Sequence, residues 1–76
     1  MGGRLPRLTA VEFLRVLHRD SWVEHRQVGS HVQLKHSTKP GRVTVARHAG
    51  VILKPKTLLT ALEQAGLSVD DLERLR

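Results

Sequence analysis

The chain has no cysteine. Disulfides, thiolate zinc sites and thiol nucleophiles are therefore excluded, and a reducing compartment suits it. Aromatic rings are scarce: Phe13 and Trp22 are the only two. Surfaces that stack bases draw on several aromatics, so the single tryptophan reads as a core or boundary anchor. No apolar run approaches the roughly 18 residues of a spanning helix, so no membrane-spanning segment is expected. The most telling gap is in acids. Between Glu24 and Glu63 there is neither Asp nor Glu. That tract holds Arg26, Lys35, Lys39, Arg42, Arg47, Lys54 and Lys56, and four of the five histidines: His25, His31, His36 and His48. A surface of one sign with imidazoles set into it suits a phosphate-rich partner, an anionic membrane surface or an acidic protein.

What is present is a short, basic chain: 76 residues, with 13 Lys and Arg against 7 Asp and Glu, a net charge of +6. That length allows one domain. Such chains bury roughly 60% of their unfolded surface, so the core is small and any site is an open face. The segment Met1-Gly2-Gly3-Arg4-Leu5-Pro6-Arg7 lacks the apolar centre of a signal peptide. Residues 1–8 read as a flexible leader and residues 9–76 as the single domain. Gly2 does not fit the myristoylation pattern, because Pro6 stands where Ser or Thr is wanted.

Thr9 and Glu12 form a Thr-x-x-Glu capping box, and Leu8 can staple onto Phe13. Ala10, Phe13, Leu14 and Leu17 then share one helical stripe, which should end near Asp20-Ser21. From Trp22 the period changes. Trp22 to Val28 reads as a strand, although Trp22, Val23 and Val28 do not all fall on one face. Gly29-Ser30 makes a two-residue hairpin turn, with glycine supplying the positive φ of a II′ turn. In the second strand, His31 to His36, Val32 and Leu34 point one way and His31, Gln33 and Lys35 the other. Residues 37–41 are a loop by composition, and Arg42 to Ala46 is a third strand with Val43 and Val45 inward. A connector, Arg47 to Leu53, leads to a second helix beginning near Lys54-Pro55. Leu58, Leu59, Leu62 and Ala65 form its expected stripe, and Gly66 its C-terminal stop. Ser68 and Asp71 cap a short last helix. The predicted class is α+β, in the order α-β-β-β-α plus a C-terminal addition, with a three-stranded antiparallel sheet and helices on one face. The other face is open and carries His31, Gln33, Lys35, Arg42 and Thr44.

A metal site finds little support. On a strand, residues five apart such as His31 and His36 face opposite sides, His48 is distant, and zinc needs three or four convergent ligands. Acid–base chemistry fits better. Imidazole takes and gives protons near neutrality. RNA carries its own nucleophile, the 2′-hydroxyl, so cleavage needs a proton-moving group and cations for the charge on the phosphorane. His31 beside Arg26, Lys35 and Arg42 could supply both; the plain alternative is a solvated histidine on a sheet face. His25 and His36 read as structural or surface groups, and His48 as a second imidazole or a loop residue. Ser30 reads as a turn former, since no Ser-His-acid set is visible. Lys54 and Lys56 flank Pro55 where free N–H groups and the helix dipole attract phosphate.

The run Arg26-Gln27-Val28-Gly29-Ser30-His31, with His36 five residues on, resembles the HicA family of toxins. So do residues 40–48, Leu53-Lys54-Pro55-Lys56-Thr57-Leu58, and Gln64-Ala65-Gly66-Leu67-Ser68. The resemblance covers roughly Thr9 to Ser68. It implies a fold similar to double-stranded-RNA-binding domains and a ribosome-independent mRNA endonuclease that halts growth. It maps the family's catalytic histidine, which follows Gly-Ser, onto His31. It further implies a HicB-type antitoxin that covers the catalytic face and represses the operon. Trp22 stands where the family usually has Phe, Lys56 where many members have Gly, and Ser37-Thr38 where Pro-Asp is common. The expectation is a cytoplasmic, metal-independent endoribonuclease toxin with no cofactor. His31 is its catalytic residue, and Ser30, Lys35, Arg42, His48, Lys54 and Lys56 contact the RNA. The rivals are a non-catalytic RNA-binding module and a small structural protein of a ribonucleoprotein.

Overall fold

Thr9 starts the first element. Its hydroxyl accepts the Glu12 N–H at 3.2 Å, and the Glu12 carboxylate accepts the Thr9 N–H at 2.8 Å. Helix α1, Ala10–Arg19, follows and buries Ala10, Phe13, Leu14, Val16 and Leu17 along one stripe. The computed structural model describes residues 5–76; residues 1–4 of the expected leader lie outside the described residues. From the rest of that segment, Leu8 is buried and Leu5 packs against the core.

The three strands are β1 (Val23–Val28), β2 (His31–Lys35) and β3 (Val43–Ala46), antiparallel in the order β1-β2-β3. Trp22, expected to open β1, instead precedes it and is wholly buried. The mixed facing of β1 has a simple cause. Glu24 pairs with Leu34 and Arg26 with Gln33, so His25 is an extra, bulged residue. The bulge puts Glu24 and Gln27 on the helix side of the sheet and Arg26 and Val28 on the other. All six β1 residues are exposed, whereas β2 and β3 alternate, with Val32, Leu34, Val43 and Val45 buried. The helix layer thus covers β2 and β3 and leaves β1 as a bare edge.

Helix α2, Pro55–Ala65, has Lys54 as N-cap, proline in its first turn, and Gly66 at φ +66° as its left-handed stop. It buries Leu58, Ala61, Leu62 and Ala65. Leu59, expected in the stripe, is 50% exposed. Packing has chosen the i, i+3, i+4, i+7 row from Leu58, and Leu59 lies about 100° off it. Ser68 and Asp71 then form a second capping box for α3, Val69–Leu75, which buries Leu72. The observed order is α-β-β-β-α-α, an α+β fold with an open three-stranded sheet, consistent with the double-stranded-RNA-binding-domain-like fold.

One polar cluster pins the β2–β3 loop to the core. Asp20 Oδ2 accepts from Trp22 Nε1 at 3.2 Å and from Lys39 Nζ at 2.6 Å. Lys39 also donates to the Ala65 carbonyl at the end of α2 at 3.0 Å. His36 Nδ1 accepts the N–H groups of Thr38 and Lys39, each at 3.1 Å. That leaves Nε2 as the donor to the Asp20 carbonyl at 2.7 Å, which sets the tautomer. The His36 ring also meets Trp22 edge-on at 5.2 Å. His36 and Lys39 are therefore structural.

The two capping boxes make stability acid-sensitive. The Thr9 backbone N–H, then its hydroxyl, holds the Glu12 carboxyl below its ordinary value of 4.5. Ser68 does the same to Asp71, below 3.8. With folded values below unfolded ones, the unfolded chain binds more protons in acid. This stabilisation is complete above the ordinary values and is lost as pH falls through the depressed ones. Urea midpoints should therefore fall as pH drops below 4.5. The Glu12→Gln, Asp71→Asn double variant should show a shallower acid-side fall than the parent.

Candidate functional site

Gly29 takes φ +58° and Ser30 stays on the negative side, the sign pattern of a II′ turn. Val28 and His31 close the hairpin as a direct pair. His31 is thus the first residue of β2, and alternation sends its ring away from buried Val32. Its cross-strand neighbours are Val28 and Ala46. The side chain is exposed, and among the described residues neither ring nitrogen has a hydrogen-bond partner. Both nitrogens can therefore face a ligand.

The next row on the same face is Arg26, Gln33 and Thr44. It lies two residues further along, ~6.6 Å at the usual rise. Arg42 joins it, donating from Nη1 to Gln33 Oε1 at 3.2 Å. Lys35 and Val23 form the last row. Lys35 is exposed but ~13 Å along the strand from His31, so it does not converge on the imidazole. Glu24, the one acid in β1, points to the helix side and is paired there by Arg47. The open face therefore presents no acid among these rows.

Beyond β3 two shallow grooves meet the start of α2. One, of about 390 Å³, is lined by Thr44, Lys54, Lys56, Thr57, Thr60, Ala61 and Gln64. The other, of about 280 Å³, is lined by Ala46, His48, Val51, Ile52, Leu53, Lys54 and Thr57. The first turn of α2 contains no acid, and Lys54 offers no side-chain cap, so backbone N–H groups there remain open to an anion. His48 lines the second groove together with Ala46, the cross-strand neighbour of His31. Ser30 is half-buried, and its carbonyl accepts the Arg47 N–H at 2.7 Å.

Not all the basic tract is available. Lys39 is bound to Asp20, and Arg47 to Glu24 at 2.7 Å and Gln27 at 3.3 Å. Two residues of the site escaped the sequence reading. Thr57 lines both grooves, and the only hint was its place in the first turn of a helix. Gln27 donates to the Gly29 carbonyl at 2.9 Å; its place two residues before the turn glycine was the signal.

The family model described as HicA toxin of bacterial toxin-antitoxin matches residues 10–67. The chain belongs to the HicA toxin family. The span runs from the first residue of α1 past Gly66, so it takes in the whole sheet, His31 and both grooves, and leaves α3 outside. Comparison with individual curated proteins gives no match. HicA membership supports a toxin role within a toxin–antitoxin system. Among the described residues no helix is long and apolar enough to cross a membrane.

Proposed function

We propose that this HicA chain is a metal-independent endoribonuclease that cleaves mRNA with His31, acts in the cytoplasm, and is neutralised by a HicB-type antitoxin. The observation that carries the reading is the His31 ring. It is exposed, has no hydrogen-bond partner among the described residues, and stands on a sheet face whose rows lack acids.

RNA laid across this face brings a 2′-hydroxyl to the imidazole. His31 takes the hydroxyl proton as the 2′-oxygen attacks the adjacent phosphorus. The bond from phosphorus to the 5′-oxygen breaks, and that oxygen leaves with a proton taken from solvent water or from His48. The products are a 2′,3′-cyclic phosphate and a 5′-hydroxyl, so no outside co-reactant is needed. Cations stabilise the charge that grows on the phosphorane oxygens. Arg26 and Arg42 are the candidates on the sheet face, and Lys54 and Lys56 hold neighbouring phosphates at the start of α2. Lys35 lies too far along β2 for the reacting phosphate and is assigned to a more distant one. Ser30 contributes by holding the turn.

The test is a pair of oligonucleotides differing at one sugar. The all-ribose strand should be cut in chelator, giving cyclic-phosphate and 5′-hydroxyl ends. A single 2′-deoxy substitution at the cut site should block that cut. An all-ribose strand that is bound but left intact would make the protein a pure RNA binder. Cleavage that survives the 2′-deoxy change would exclude the 2′-hydroxyl route.

A further inference from the structure

We propose that Arg47, acting with Gln27, is a positioning residue for His31, an inference that rests on the proposed role of His31 in RNA cleavage. The imidazole makes no hydrogen bond of its own among the described residues, and its flanking side chains, Val28 and Ala46, are an exposed valine and a small alanine. Where the ring stands is therefore decided by the backbone that carries it. That backbone leaves a two-residue turn at the end of a bare edge strand, a place where fraying is ordinary.

Both carbonyls of the turn are held. The Arg47 N–H donates to the Ser30 carbonyl at 2.7 Å, extending the β2–β3 ladder one step past Ala46. The Gln27 side-chain amide donates to the Gly29 carbonyl at 2.9 Å. Gln27 is itself held, because Arg47 Nη1 donates to its Oε1 at 3.3 Å. Arg47 Nη2 meets Glu24 Oε2 at 2.7 Å, and His18 of α1 meets the same oxygen at 3.2 Å. One arginine thus ties the turn to β1 and, through Glu24, to α1. Glu24 and Gln27 lie on the helix side of the sheet, opposite His31, so Arg47 acts from beneath the site. Its planar fork serves two acceptors at once, which a single ammonium on a flexible stem does not reproduce. Exposed pairs of this kind add little to global stability, so losing them should leave the fold intact.

The experiment compares Arg47→Ala, Arg47→Lys and Gln27→Ala with the parent chain, by RNA cleavage kinetics and by amide order parameters. In both Arg47 variants kcat should fall about 10- to 100-fold, the scale expected from a misplaced catalytic group. KM should stay unchanged, and Lys should not rescue. Gln27→Ala should lower kcat in the same way. Order parameters at Gly29, Ser30 and His31 should drop from about 0.85 toward about 0.6 while thermal melts hold. A raised KM with kcat intact would make Arg47 a phosphate ligand and overturn the inference. So would wild-type order parameters in the turn, or full activity in Arg47→Lys. A parent chain that cleaves no RNA would overturn the proposed function itself. A cleaving parent with equally active Arg47→Ala and Gln27→Ala variants would overturn only this inference.

Discussion

His31→Ala is expected to melt with the parent chain, bind RNA with similar affinity, and lose cleavage by about 10²- to 10⁴-fold, the usual contribution of a positioned acid–base group. Stability should hold because the ring is exposed and makes no hydrogen bond among the described residues. Ala keeps a Cβ in the Val28–Ala46 row, so the hairpin register stays as it is. Binding should hold because the phosphate contacts are assigned to Arg42, Lys54 and Lys56 rather than to His31. Expression of the variant should no longer arrest growth. A folded His31→Ala protein that still arrests growth and cuts RNA at the parent rate would refute the catalytic assignment. His48 would then be the imidazole to test, since it lines a groove with Ala46, the cross-strand neighbour of His31.

Trp22→Ala is expected to cost about 3–5 kcal/mol, the range for truncating a fully buried large aromatic. A chain of this size has only about 4–11 kcal/mol in hand, so much of the population should unfold near body temperature. Two losses add up. The indole is a large core side chain, with 1% of its surface exposed. It also takes part in the cluster that fixes the β2–β3 loop, through its bond to Asp20 and its edge contact with His36. Trp22→Phe separates the two. It keeps most of the volume and loses the N–H donor, and Asp20 Oδ2 keeps Lys39 at 2.6 Å. That change should cost about 1–2 kcal/mol, the scale of one hydrogen bond with a small packing defect. Urea denaturation of the three proteins checks this, and an Ala variant within about 1 kcal/mol of the parent would place Trp22 outside the core.

Much of the fold was legible because its signals are local. The Thr9–Glu12 and Ser68–Asp71 boxes, Pro55 in a first turn, and Gly66 as a stop each act over a few residues. The alternation of Val32 and Leu34 with His31, Gln33 and Lys35 likewise assigns faces without knowing the partner strand. The errors fell where a distant partner decides. Leu59 belongs to as good a helical stripe as Ala61 until a sheet is laid against α2. Trp22 looked like a strand residue because nothing nearby in sequence says that the His36 ring will meet it. The facing of β1 stayed mixed because nothing local announces the bulge at His25, which turns Glu24 and Gln27 beneath the sheet.

The same division runs through the site. The sequence by itself determined that a histidine would start a strand after a glycine turn, on a face away from the core, within a tract lacking acids. It did so because turn chemistry and two-residue alternation are properties of neighbouring residues. Which cations in that tract stay available was decided only by the tertiary structure. Lys39 and Arg47 are taken up by Asp20 and Glu24, acids that lie before the tract in sequence and reach it only when strands pair and helices dock. The physical reason is that charge composition is a property of the chain, whereas charge pairing is a property of distances that exist only after folding.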